Sequence, residues 1–282
     1  MSELRLVSPI TPALLEFRGP DAVRFLNGQL TQDVRRVTGG RISLPSCVTD
    51  AKGKLQFRVT ATEADDGALW IAGPAGSQEA LEARLTRYLI ADDVKVADLT
   101  GKYVLAHFTG QVPSPPPGVM ARESNRYGVP GTDWWIFSGS DAELPEHSVL
   151  TGDELEALRI ANGVPAWGSE LVEGMLPPEA LLDATDISYN KGCYIGQEVI
   201  SRIKSAGKVN RRLTRFVFDA DALVVPGPLV DAEGRVAGEL TSVSPMASDG
   251  IRHALGYLKR GAGAVFFKSA DGTTHPAAVR EN

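Results

Sequence analysis

Cysteine is nearly absent from this 282-residue chain, which carries only Cys47 and Cys193. Two thiols cannot build a disulfide framework or a tetrahedral thiolate zinc site, and an iron–sulfur cluster held by one chain usually needs about four. Histidine is scarce too. His107, His147, His253 and His275 show no metal-ligand spacing, so no stably bound metal is expected and each reads as a surface or strand residue. Cations are not in excess: a net charge of −6 gives no global attraction to nucleic acid or to an anionic membrane. No nucleic-acid partner is therefore expected, and an anionic ligand must be caught by a local basic patch. No run approaches the ~18 apolar residues of a membrane span. The N-terminal MSELRLVSPITPALLEF lacks the basic lead and apolar core of a signal peptide. A reduced, cytoplasmic setting without membrane contact is the expectation. There is no P-loop, no dinucleotide fingerprint after a strand, and no Gly-x-Ser-x-Gly elbow.

What is present is an ordinary globular composition, 43% apolar, in a chain long enough for two or three domains. Residues 20–30 place Val23, Leu26 and Leu30 on one helical face behind Pro20 and Asp21. Residues 41–62 read as two strands joined at Asp50-Ala51-Lys52-Gly53, and ALWIAG follows the turn 64-ADDG-67 as another. Ser77 is the expected N-cap of a helix over SQEALEARLTRYLI, in which Leu81, Leu85 and Tyr88 share a face. The proline run 113–117 marks a loop or junction. Trp134 and Trp135, adjacent in a strand, point to opposite faces; one is expected in the core, and the other could line a pocket. Thr151 and Glu154 form a capping box for a helix that Gly163 ends. Residues 164–190, rich in Pro, Gly and Asp, form a long ordered loop. From Arg211 onward short β-like runs punctuated by Glu233-Gly234 and Asp271-Gly272 indicate a C-terminal β-barrel or sandwich. The expected division is residues 1–208, as two α/β subdomains with a junction near 113–117, and a barrel over 209–282.

The segment 191-KGCYIGQEVISRIKSAGKVNRRL-213 carries the densest chemistry. Val199, Ile200 and Ile203 predict a helix starting near Gly196 and ending before Gly207, with Glu198 and Arg202 spaced to pair on its exposed side. Cys193 then precedes a helix N-terminus, with Lys191 as a nearby cation; both favour a thiolate. A small buried cysteine at a tight turn is the competing reading. Cys47, within a strand-like run, is expected in the core. The cations Arg202, Lys204, Lys208, Arg211 and Arg212 form either a solvated face or a site for a carboxylate or phosphate.

These residues carry a resemblance. KGCYIGQE, with Arg202 and Gly207 downstream, resembles the signature of the YgfZ/CAF17/Iba57 folate-binding proteins, relatives of the glycine-cleavage T-protein (aminomethyltransferase). FLNGQLTQDV (Phe25 to Val34) is similar to the opening motif of that superfamily. CVTDAKGKL, LRIANGVPAWGSEL and AGELTSVSPMASDGIRHALGYLKR resemble its second strand pair, helix end and barrel segment, in the expected order.

The resemblance implies an α+β, T-protein-like folate-binding fold: interlocked α/β segments and a C-terminal β-barrel around a tetrahydrofolate site. It implies an accessory protein that supports assembly or repair of iron–sulfur proteins, with folate and iron–sulfur client or assembly proteins as partners. Cys193 is the implied reactive thiol, and Lys191, Tyr194, Gln197, Glu198 and Arg202 are the implied folate-contacting residues. The alternative is a folate-dependent one-carbon (aminomethyl) transferase. Against it, the glutamate that T-protein carries two positions after its helix-end arginine is Ala161 here, after Arg159. The stretch matching its catalytic aspartate, Gly53 to Arg58, holds no carboxylate. A true aminomethyltransferase is therefore not expected.

Overall fold

The computed structural model of the chain describes residues 3–280. In chain order, β1 (Arg5–Ile10) and β2 (Ala13–Arg18) lead into helix α1 (Ala22–Gln29). β3 (Ser43–Thr49), β4 (Leu55–Glu63) and β5 (Leu69–Gly73) precede helix α2 (Gln78–Thr86). β6 (Lys95–Asp98), β7 (Tyr103–Thr109), β8 (Met120–Ser124), β9 (Gly131–Phe137) and β10 (Ser148–Leu150) follow. Helices α3 (Gly152–Ala161) and α4 (Gln197–Ala206) flank the long loop. β11 (Arg211–Asp219), β12 (Gly227–Val230), β13 (Val236–Ser248), β14 (Ile251–Lys259), β15 (Val265–Lys268) and β16 (Thr274–Arg280) complete the chain. No helix among the described residues is long and apolar enough to cross a membrane.

Contacts divide the chain into two compact units. One runs to Leu150 and takes in Asp183–Ser201; the other is Thr151–Leu182 with the chain from Arg202 onward. This differs from the boundary at 208 drawn from sequence texture. Thr151–Leu182 groups with the barrel because α3 packs against β13 and β14.

The first unit holds two five-stranded sheets, ordered β10-β1-β7-β9-β8 and β3-β4-β5-β2-β6. Strand alternation explains their packing: successive side chains leave opposite faces, so a strand buried on both sides is apolar at every position. Leu15, Phe17, Leu69 and Ile71 join a core with Phe25 and Leu26 of α1 and Leu81 and Leu85 of α2. Their neighbours Leu14, Trp70 and Ala72 turn the other way and meet Leu105, Met120 and Trp135 of the other sheet. Trp134 faces a third cluster with Leu6, Ala106 and Phe108. Both tryptophans are fully buried, so both faces of β9 are covered at these positions.

α2 is shorter than its sequence pattern. It ends at Thr86, so Tyr88 lies beyond it, exposed, and does not share the helix face of the buried Leu81 and Leu85. Ser77 stands at the N-cap, but its hydroxyl donates to Pro74 O at 2.7 Å and makes no cap bond. Across β7 and β9, His107 and Asp133 are register partners, and Nδ1 meets the carboxylate at 2.7 Å. Arg126 donates to the same carboxylate at 2.7 and 3.2 Å. Burial alone would raise the Asp133 pKa, but Arg126 and His107 hold it well below the usual carboxylate range.

In the second unit β11-β14-β13-β12-β15-β16 close into a barrel. Phe216, Phe218, Leu229, Leu240 and Phe267 fill its core. The capping box of α3 is complete, with Thr151 Oγ1 accepting from Glu154 N and the Glu154 carboxylate accepting from Thr151 N. Gly163 follows the helix in the left-handed region, φ +71°.

Candidate functional site

The cysteine-bearing segment is a strap laid across the first unit. α1 ends at Gln29, and like every helix it leaves its last carbonyls without intrahelical donors. The strap supplies them. Lys191 Nζ donates to Asn27 O at 2.6 Å, Leu30 O at 2.7 Å and Gln32 O at 2.8 Å. Ile195 N donates to Gly28 O at 3.2 Å. A lysine amine at the negative end of a helix is well placed for the dipole as well. Further bonds stitch the strap down: Ser188 N to Thr31 O at 3.0 Å, Thr31 Oγ1 to Asp186 O at 2.7 Å and Thr49 Oγ1 to Ile195 O at 2.6 Å.

Glycines set the closest approach. Gly196 adopts φ +86°, and a Cβ there would lie 2.5 Å from Asp50 O and 2.8 Å from Gly53 Cα. Only glycine lets the strap cross the β3–β4 turn at this distance. This is the physical use of the second glycine in KGCYIGQE.

The strap thus divides its residues by role. Lys191 is buried, and its ammonium is spent on three carbonyls, so it positions the strap rather than facing a ligand or the Cys193 thiol. Burial pushes its pKa down to about 7, against the pull of the Asp33 carboxylate, which favours the charged form. Its amine also lies 5.3 Å from the Tyr194 ring centroid. Tyr194 is buried, its hydroxyl has no partner among the described residues, and burial raises its pKa.

Cys193 lies between these two anchors and is exposed. It opens on a cleft of about 600 Å³ lined also by Gln29, Tyr88, Tyr194, Gln197 and Glu198. The strap holds it four residues before the first residue of α4. Of the residues singled out from the sequence, Cys193, Tyr194, Gln197 and Glu198 share this cleft, whereas Lys191 and Arg202 are not part of its lining. Arg202 is exposed on α4. Cys47 is fully buried in β3, where burial first, and the Asp186 carboxylate second, push its thiol well above the ordinary value.

Besides Asp133, two buried carboxylates escaped the sequence reading. Arg58 of β4, on the stretch that holds no carboxylate of its own, binds Asp186 through Nε at 2.7 Å and Nη2 at 3.2 Å. Asp186 is fully buried and comes from the long loop. In the second unit Glu170, from the same loop, is fully buried. It accepts from Arg159 at 3.1 Å, Ala166 N at 2.9 Å, Thr241 Oγ1 at 2.7 Å and Ser242 Oγ at 2.6 Å. The Thr-Ser pair of AGELTSV therefore satisfies a buried carboxylate, as a charged group in the interior requires. Both carboxylates lie in a segment without periodicity, where sequence gives no partner. Arg159 even has a local acid at helical spacing, Glu156, which it binds at 2.6 Å, so its second partner in the loop left no sequence signal. No group of three or more potential metal ligands exists among the described residues.

No family model matches the chain. Its sequence is 27% identical over 223 residues to the tRNA-modifying protein YgfZ of Klebsiella pneumoniae, covering 71% of this chain and 68% of that protein. It is 28% identical over 232 residues to YgfZ of Sodalis glossinidius, covering 74% and 70%. Among solved structures, the aminomethyltransferase T of the Bartonella henselae glycine cleavage system superposes with a TM-score of 0.81. That match is 19% identical and covers 99% of this chain and 86% of the other. The α+β fold with a closed C-terminal barrel is thus the T-protein fold. The resemblance read from the motifs holds: the chain is similar to the YgfZ proteins over about three-quarters of its length and shares the aminomethyltransferase fold.

Proposed function

We propose that this protein is a folate-binding accessory factor that supports the assembly or repair of iron–sulfur proteins, working through the Cys193 thiol. The observation that carries this reading is the contrast along one strap: Lys191 and Tyr194 are buried anchors, while the cysteine between them is exposed in a cleft. A thiol kept only for packing has no need of exposure. The relatives' designation as tRNA-modifying proteins is consistent with an indirect role, since enzymes that modify RNA can themselves depend on a cofactor that must be maintained.

Tetrahydrofolate is the ligand suggested by the family resemblance. The orphaned Tyr194 hydroxyl and the Gln197 and Glu198 side chains, which make no side-chain hydrogen bond among the described residues, suit a planar ligand rich in donors and acceptors. Lys191 acts there by holding the strap. A folate-dependent aminomethyl transferase is less well supported. Asp186, the carboxylate paired with Arg58 of the matching strand, is buried and engaged there, which leaves it poorly placed to accept a substrate proton.

Two measurements test the proposal. In a strain lacking the protein, Cys193→Ala is expected to fold normally yet fail to restore the activity of iron–sulfur enzymes. Full rescue would reduce the cysteine to a packing role. Calorimetry with tetrahydrofolate tests the ligand, and no binding at high micromolar folate would remove it. Robust transfer of an aminomethyl group to tetrahydrofolate would overturn the accessory reading in favour of the enzyme.

A further inference from the structure

The barrel unit carries a second feature, unrelated to the strap. Two clefts, of about 330 and 540 Å³, share Arg211 and Lys259 as a common wall. The two residues are register partners at the end of the β11–β14 ladder, so their side chains leave the same face. Arg260 and Asn210 complete the larger cleft, and Arg260 N donates to Asn210 O at 2.9 Å, fixing this corner. The smaller cleft is walled by Pro228, Val236 and Tyr257.

The charges here are only partly answered. Arg211 Nε meets Glu179 at 3.0 Å, and no protein acceptor takes its Nη groups among the described residues. Its guanidinium sits 4.4 Å from the Tyr257 ring centroid, which holds it in place. Lys259 Nζ donates to Val236 O at 2.7 Å and makes no ion pair among the described residues. Arg260 is exposed and has no side-chain partner there. Three cations thus converge on the larger cleft against one carboxylate, Glu179, in a protein whose net charge is −6. The one acid of the smaller cleft, Glu239, keeps an anion toward the Arg260 end.

Anchored cations beside an apolar wall specify a ligand with an anionic head and a flat, poorly solvated body. Arginine forks and a lysine point charge suit a phosphate. Exposed Pro228 and Val236, beside the Tyr257 ring, suit a heterocycle. Clefts of this size accept one small molecule. We propose that this corner of the barrel is a binding site for a nucleotide-sized phosphate ester. Its phosphate is held by Arg211, Lys259 and Arg260, and its base lies along Pro228, Val236 and Tyr257.

The test uses the full chain and calorimetric titration with adenosine 5′-monophosphate, adenosine and a ten-nucleotide single-stranded RNA. The monophosphate is expected to bind saturably, and removing the phosphate to weaken binding at least about tenfold. The double variant Lys259→Gln/Arg260→Gln should show a similar loss with an unchanged melting temperature, since neither side chain is part of the core. Arg260→Gln alone, which removes no protein contact, guards against a folding defect in the double variant. No saturable binding up to about 1 mM monophosphate, equal affinity for adenosine, or binding untouched by both variants would each overturn the assignment. Preferred binding of the RNA by about tenfold or more would assign the patch to a polynucleotide instead.

Discussion

Replacing Lys191 by methionine isolates the strap's main anchor. The change preserves length and apolar stem but removes the donors to Asn27 O, Leu30 O and Gln32 O. Hydrogen bonds to a charged group contribute about 1.5–3 kcal/mol each, and an acceptor left buried without a partner costs ~1–3 kcal/mol. The three carbonyls converge on one amine and relax together when it goes, so simple addition overstates the loss. A destabilisation of about 3–5 kcal/mol is expected, a large part of the ~5–15 kcal/mol that holds an ordinary domain together. Trp70, Trp134 and Trp135 are buried in the first unit, whereas Trp167 is 40% exposed in the second. Urea unfolding followed by tryptophan fluorescence in a Trp167→Phe background therefore reports the unit concerned. The midpoint should fall by about 1–2 M urea. Lys191→Arg should recover part of the loss, because its charge remains but its planar fork cannot converge on three carbonyls. A loss below about 1 kcal/mol would refute the reasoning, since it would mean that water or other donors serve these carbonyls equally well.

Three other outcomes are expected. A thiol reagent added to the native protein should modify one cysteine rapidly and the second only after denaturation, because Cys193 is exposed and Cys47 is fully buried; two fast thiols would contradict the burial of β3. Gly196→Ala should cost at least about 2 kcal/mol and loosen the strap, since its Cβ would meet Asp50 O at 2.5 Å in a backbone region unfavourable to alanine. A thermal midpoint within experimental error of wild type would show that the β3–β4 turn can yield. Asp133 is held below its normal pKa in the folded state, so below pH ~4 the unfolded chain gains a proton there that the folded chain does not. Its contribution is intact above that range and is lost on acidification by up to about 1.4 kcal/mol per pH unit. Asp133→Asn should flatten this part of the stability–pH profile, and an unchanged slope between pH 4 and 3 would be the contrary result.

The parts of the fold that local pattern controls were legible in the sequence. The capping box at Thr151 and Glu154, the α4 face carrying Ile200, and the β-rich texture after Arg211 each follow from spacing within a few residues. The double burial of Trp134 and Trp135 was half legible: alternation assigns them to opposite faces, but only the packing partners show that both faces are covered. The site was legible as a segment and not as a set of roles. Lys191 looked like a cation for the neighbouring thiol because sequence places it two residues away. Its partners are the carbonyls of a helix end far earlier in the chain. Arg58 with Asp186 and Arg159 with Glu170 pair regular elements with an aperiodic loop, and loop geometry leaves no trace in hydrophobic period.

The lysine anchor also imposes an order in time. Its three bonds join residues separated by 164, 161 and 159 positions. A growing chain at about 5–20 residues per second makes α1 roughly 8–30 s before Lys191 leaves the ribosome. During that interval the carbonyls of Asn27, Gly28, Leu30 and Gln32 lack the donors that the strap brings, and the β3–β4 turn at Asp50 and Gly53 is uncovered. The thiol therefore reaches its exposed station last, when the first unit is otherwise assembled. A nascent chain stalled before residue 183 should carry an unfinished α1 terminus and no reactive cysteine, so maturation of the fold and acquisition of the thiol coincide.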